Sequence, residues 1–231
     1  MSVHKPVTEK GIYFITFTCH KWLSLIDKTN SYDAIYNWFN ILKKRNHDVL
    51  AYVIMPNHLH LLMYYSGSSR NLNFEIGEAK RFLAYEIIKR LEKLNEVALL
   101  KELGHAVQLK DKSRGKLHEV WEDSFDCKEC RTEKFIMQKL QYIHNNPCNG
   151  KWKLADDPLH YQHSSAGFYI SGKEGFFAVK DYREKLILLY EEMERNNPNE
   201  SSGRHKAGGV TRWGRNFRNN NAIENLETAW I

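Results

Sequence analysis

Cysteine and proline are scarce in this chain: four and five residues, respectively, out of 231. Four thiols, two of them at Cys127-x-x-Cys130, do not make the disulfide framework of a small secreted domain. A structural zinc needs further ligands at fitting spacing. Cys148 or nearby histidines are the available sources, and nothing in the spacing demands them, so reduced thiols are the simpler reading. No apolar run approaches the ~20 residues that span a bilayer. The opening residues, MSVHKPVTEKG, lack the apolar stretch of a signal peptide. A cytoplasmic protein with no membrane partner is therefore expected. There is no Walker-type glycine-rich loop, so no nucleotide cofactor is implied, and no internal repeat.

What is present is globular. Apolar residues make up 42% of the chain and aromatics 13%, enough for one sizeable core with an appendage. The formal net charge of +6 suits an anionic partner. Many soluble proteins are equally basic, so charge alone decides nothing.

The most informative segment is AYVIMPNHLHLLMYY, residues 51–65. His58 and His60 lie two residues apart in a run of strand formers. Side chains at i and i+2 of a strand share a face, so two imidazoles project side by side while Leu59 and Leu61 point the other way. Such a pair on a rigid carrier can hold a divalent metal. An edge strand that happens to carry two solvated histidines fits the same pattern.

A second segment, KFIMQKLQYIHNNP at 134–147, places Ile136, Leu140 and Ile143 at the i, i+4, i+7 spacing of a buried helical stripe. Tyr142 lies off that stripe. Gln138, Lys139 and Asn146 fall on the Tyr142 face. Pro147 disfavours helix at Asn146 and is expected to end the element there. Such a helix end presents a phenol and a carboxamide together. Alone, a boundary tyrosine and a helix-terminal asparagine are the plainer readings.

Together these segments resemble a known family. PNHLHLL closely resembles the His-hydrophobic-His motif of single-tyrosine HUH transposases, and YIHNNP resembles their catalytic-tyrosine helix. YQHSSAGFY at 161–169 and GIYFITFTCHKW at 11–22 are similar to segments of the REP-associated tyrosine transposase branch, and the likeness spans roughly residues 10–185. The resemblance implies that His58 and His60 are metal ligands, that Asn146 is the third ligand and that Tyr142 is the nucleophile. It implies Mg²⁺ or Mn²⁺ as cofactor. The partner it implies is single-stranded or hairpin DNA with palindromic repeats. A monomer in the cytoplasm, associated with the nucleoid, is expected. The implied reaction is metal-dependent cleavage and rejoining of DNA through a 5′-phosphotyrosine intermediate. Two other classes stay open: a non-catalytic DNA-binding regulator of the same fold, and a metal-dependent nuclease using water.

The coarse pattern gives strands over 12–19, 49–55 and 58–64, with another within 117–125. Helices are expected over 31–44, 72–93, 134–147 and 181–194, with short elements within 96–116. Strand–helix–strand–strand–helix–strand is the split βαβ order of a ferredoxin-like or RRM-like antiparallel sheet, an α+β fold, with helices expected on one face. Lys80 and Arg81 belong to a basic face of the long helix that either tracks phosphates or is simply solvated. The domain is expected to occupy 1–195 and a flexible basic tail 196–231. Arg212, Trp213 and Arg215 in that tail interleave charge with an aromatic ring, as suits single-stranded nucleic acid. A solubilising tail is the competing reading.

Overall fold

The computed structural model describes residues 6–67, 70–123, 125–149 and 153–196. Two units are distinguished, Met1–Tyr182 and Arg183–Ile231. The first contains four strands: β1 (Gly11–Thr18), β2 (Asp48–Ile54), β3 (His58–Tyr65) and β4 (Asp126–Glu129). Its helices are α1 (Leu25–Lys28), α2 (Tyr32–Lys44), α3 (Leu72–Lys93), α4 (Val97–His105), α5 (Leu109–Lys112), α6 (Glu133–Asn145) and α7 (Ala166–Ser171). The described part of the second unit is residues 183–196 of the helix α8 (Tyr182–Asn196).

The sheet is antiparallel with strand order β2-β3-β1-β4, the ferredoxin-like arrangement expected from the element order. β3 is an inner strand. Hydrogen-bonded neighbours on both sides hold its backbone, so it can place two side chains with little freedom.

Both faces of the sheet are covered, which corrects the expectation of helices on one face. Tyr13, Ile15, Phe17, Leu59, Leu61 and Met63 join Ile35, Trp38 and Phe39 of α2 and Ile76, Leu83 and Ile87 of α3 in one core. On the other face α6 lies against β2 and β3. The sequence reason is legible afterwards. β1 and β3 are buried along nearly their whole length rather than in alternation, the pattern of strands covered on both sides.

The fourth strand also falls elsewhere than expected. Val120 and Trp121 are buried, but as an anchored loop: Trp121 forms an isolated bridge with Cys19, and its Nε1–H donates to the Lys80 carbonyl at 2.8 Å. The actual strand, DCKE, is polar and lies at the sheet edge, where pairing with β1 rather than β propensity decides the conformation.

α6 starts at Thr132, whose hydroxyl accepts from the Phe135 N–H at 3.3 Å. Its end differs from expectation. Asn146, directly before proline, keeps helical angles (φ −55°, ψ −44°), and a 3-10 turn runs on through Asn146–Cys148. The general pre-proline preference is overridden here, so the Asn146 side chain stays one helical turn beyond Tyr142. Ile143, fully buried, is part of what docks this helix. Ile143→Ala should lower unfolding free energy by ~2–5 kcal/mol, measured as a lower denaturant midpoint at unchanged slope. A loss below ~1 kcal/mol would mean that polar anchors, not apolar burial, hold α6 in place.

Among the described residues no helix is long and apolar enough to cross a membrane.

Candidate active site

The His58 and His60 side chains emerge from β3 on the face that α6 covers. Their ring centroids are 4.8 Å apart, and each residue is only 4% exposed. Tyr142 on α6 packs edge-on against His60, with centroids 4.9 Å apart, and against Phe14 at 6.0 Å. One turn further on, Asn146 reaches both imidazoles: Oδ1 lies 3.2 Å from His58 Nε2 and Nδ2 lies 3.2 Å from His60 Nε2. Four residues from two distant segments thus meet in one place.

Polar neighbours fix how the imidazoles face. Asn57 Nδ2 donates to the Trp22 carbonyl at 3.0 Å, which turns Asn57 Oδ1 towards His58 Nδ1 at 2.7 Å. His58 therefore carries its proton on Nδ1 and presents a lone pair at Nε2. On the other ring, His60 Nδ1 lies 2.6 Å from Thr16 Oγ1, from the residue opposite it on β1. Burial pushes His58 down to about 4, opposed by its contact with Asn146. It also pushes His60 well below the usual imidazole range, helped by His58 and Lys139. Both rings are neutral near pH 7, the state in which imidazole ligates a metal.

These contacts test whether a cation fits. With its proton on Nδ1, the lone pair at His58 Nε2 faces the Asn146 carbonyl oxygen, a second acceptor, at 3.2 Å. Two acceptors aimed at one point with no proton between them repel, and a cation at that point relieves the conflict. Without a cation, the same atoms are satisfied if the Asn146 amide turns over. Nδ2 then donates to His58, and Oδ1 accepts from His60. The donor set of two nitrogens and one oxygen accommodates Mn²⁺ and, less readily, Mg²⁺. Among the described residues no group of three His, Cys, Asp or Glu side chains forms a metal-holding cluster; the oxygen that stands beside the imidazoles is that of the Asn146 amide. Among the described residues Cys127 and Cys130 belong to no such cluster, and burial pushes their thiols up to about 11 and about 12.

Tyr142 is 50% exposed, in contrast to the histidines beside it. Among the described residues its hydroxyl has no hydrogen-bond partner. Lys139 Nζ lies 5.7 Å from the Tyr142 ring centroid and 4.6 Å from that of Phe14, bringing a positive charge to the mouth of the site. Gln138 is exposed on the same helix. Lys80 and Arg81 are not brought to this site: α3 covers the opposite face of the sheet. The Lys80 ammonium donates to the Glu122 carbonyl at 2.7 Å, and burial draws it down to about 8. Arg81 lies over the Phe82 ring. Arg212, Trp213 and Arg215 lie outside the described residues.

His144 points away from the site, as its place on the helix implies. It is buried, with Nε2 3.0 Å from Ser165 Oγ, which in turn accepts from the Tyr52 N–H at 3.0 Å. The serine segment thus ties α6 to β2. Ser164 accepts from the Ala166 N–H at 3.1 Å.

Three residues of the site were not singled out from sequence. Asn57 directly precedes His58, and its adjacency was the available signal. Thr16 enters only through strand register, which no local pattern carries. Trp22 rests edge-on against His58 with centroids 5.4 Å apart.

No family model matches the chain, and no curated protein matches it. Among solved structures, the chain is similar to a REP-associated tyrosine transposase bound to a REP hairpin. Identity is 16% and the TM-score 0.49, with 78% of this chain and 93% of that one covered. It is also similar to a candidate transposase from Deinococcus radiodurans, at 14% identity and a TM-score of 0.34, covering 63% of this chain and 97% of that one.

Proposed function

We propose that this chain cleaves and rejoins single-stranded or hairpin DNA by covalent catalysis from Tyr142, as a single-tyrosine HUH transposase of the REP-associated kind. One observation carries the reading. A half-exposed tyrosine stands against a buried, neutral histidine pair whose Nε2 atoms converge on Asn146.

The residues divide the work. Tyr142 Oη attacks the scissile phosphorus, forming a Tyr–O–P bond as the P–O3′ bond breaks; the departing oxygen leaves as a 3′-OH with the proton the phenol gives up. A 3′-OH attacking the phosphotyrosine reverses the step and joins ends without a nucleotide cofactor. His58, His60 and Asn146 would hold Mg²⁺ or Mn²⁺, which when bound supplies Lewis-acid withdrawal of charge from the phosphate. Asn57 and Thr16 orient the two rings. Lys139 favours an anion beside the tyrosine. All these residues come from one chain, so a monomer suffices.

The test is incubation with single-stranded oligonucleotides drawn from the DNA flanking the gene, in Mn²⁺, followed by denaturation. A covalent protein–DNA adduct is expected. Cleavage without an adduct would indicate water as nucleophile, and binding without cleavage a non-catalytic regulator.

The basic tail is assigned a supporting part. Truncation after Glu194 is expected to weaken DNA binding and flatten its salt dependence, each lost phosphate contact changing the log–log slope by about 0.7. Arg204, Lys206, Arg212, Arg215 and Arg218 supply the charge. An unchanged slope would make the tail a bystander.

A further inference from the structure

Trp22 is a large apolar side chain left 52% exposed beside two histidines that are almost wholly buried. It is held there against backbone preference. Lys21 and Trp22 both have positive φ, 48° and 60°, a region where a bulky residue is an outlier and which is concentrated at functional sites. The turn is fastened on several sides. The Lys21 N–H donates to Glu122 Oε1 at 2.7 Å, the Trp22 N–H to the Cys19 carbonyl at 3.0 Å, and the Trp22 carbonyl accepts from Asn57. Asn57 is the residue that also orients His58, so a single side chain sets both the indole's backbone and the imidazole.

The rings form a file: Trp22, His58, His60, Tyr142, with successive centroids 5.4, 4.8 and 4.9 Å apart. Its middle is buried and polar; its two ends are open aromatics. Lys21, the neighbour of Trp22 in the chain, lines a shallow depression with Ala98, Lys101, Glu102, His105 and Ala106; Lys21 pairs there with Glu102 at 3.4 Å, and the exposed Lys101 beside that pair is the cation a phosphate would meet.

From this geometry we infer that Trp22 is a base-stacking platform. It takes one unpaired base of the DNA strand next to the phosphate held at the histidines, and sends the strand on towards Lys101. The inference rests on the proposed function and adds to it a residue that binds the substrate's base. The π-face of every base fits an indole, so the contact is tolerant of sequence.

The experiment compares two probes of equal length and charge, fluorescein-labelled (dT)15 and a fully abasic 15-mer, binding the full chain with Tyr142→Phe in the background to prevent cleavage. Replacing Trp22 by Ala should cut affinity for (dT)15 by at least about fivefold and leave the abasic strand unaffected. Trp22→Phe should restore most of the loss, which a purely structural role for the turn would not distinguish by probe. Equal losses on both probes, or no loss on either, overturn the stacking role while leaving the proposed function standing. If the Tyr142→Phe protein binds neither probe, the stacking role is overturned, and the proposed function is decided separately by the oligonucleotides from the flanking DNA.

Discussion

Tyr142→Phe should abolish the covalent protein–DNA adduct, lowering its rate of formation at least about a thousandfold, with the fold and DNA affinity nearly intact. The substitution removes one oxygen. The ring keeps its contacts with His60 and Phe14. Among the described residues the hydroxyl has no partner that would be left unsatisfied. At a half-exposed position the stability change should stay within about 0.5 kcal/mol. Two readouts separate the roles: adduct yield on a denaturing gel, and equilibrium binding of the same oligonucleotide by anisotropy. Loss of the first with the second unchanged assigns the chemistry to the phenol. An adduct of undiminished yield would place the nucleophile elsewhere, and equal loss of both would make Tyr142 a binding residue.

How much of this was readable beforehand depends on the range of the interaction. The i, i+2 histidines and the i, i+4 pair Tyr142 and Asn146 are local periodicities, fixed by strand and helix geometry, and both survive in the structure. The α3 boundaries are likewise set by local signals, with Asn71 Oδ1 accepting from the Phe74 N–H at the start. Long-range decisions were less accessible. Thr16 meets His60 because β1 and β3 pair in one register out of several possible ones. The apolar Val120–Trp121 segment resembled a strand because burial and β propensity favour the same residues. Lys80 resembled a free cation on a solvated face, yet its partner is a backbone carbonyl 42 residues away. Asn146 was expected to leave the helix because of Pro147. It stays helical, and that is what keeps its amide within reach of both rings.

The amide makes the metal reading separable from the fold. Asn146 is only partly buried, so changing it disturbs packing less than removing an imidazole, which would leave a cavity next to Thr16. Asn146→Ala is expected to weaken Mn²⁺ binding, and Asn146→Asp, which replaces a neutral oxygen donor with a carboxylate, to keep or strengthen it. His58→Ala with His60→Ala should eliminate both Mn²⁺ binding by calorimetry and DNA cleavage. Thr16→Val removes the hydroxyl that orients His60 without touching the ligand atoms, and the expected loss is about 10–100-fold in metal affinity or activity. Chelation should leave the fold standing, because the Asn146 amide can turn over and satisfy both imidazoles through its own donor and acceptor. The melting temperature of the stripped protein is then expected within about 2–4 °C of the loaded one. A stripped protein that unfolds outright would mean that the cation, rather than α6 packing, holds Asn146 against β3. Equal Mn²⁺ affinity in the wild type and the double-histidine variant would sink the site as a metal centre, and Tyr142 would then have to act without a Lewis acid beside it.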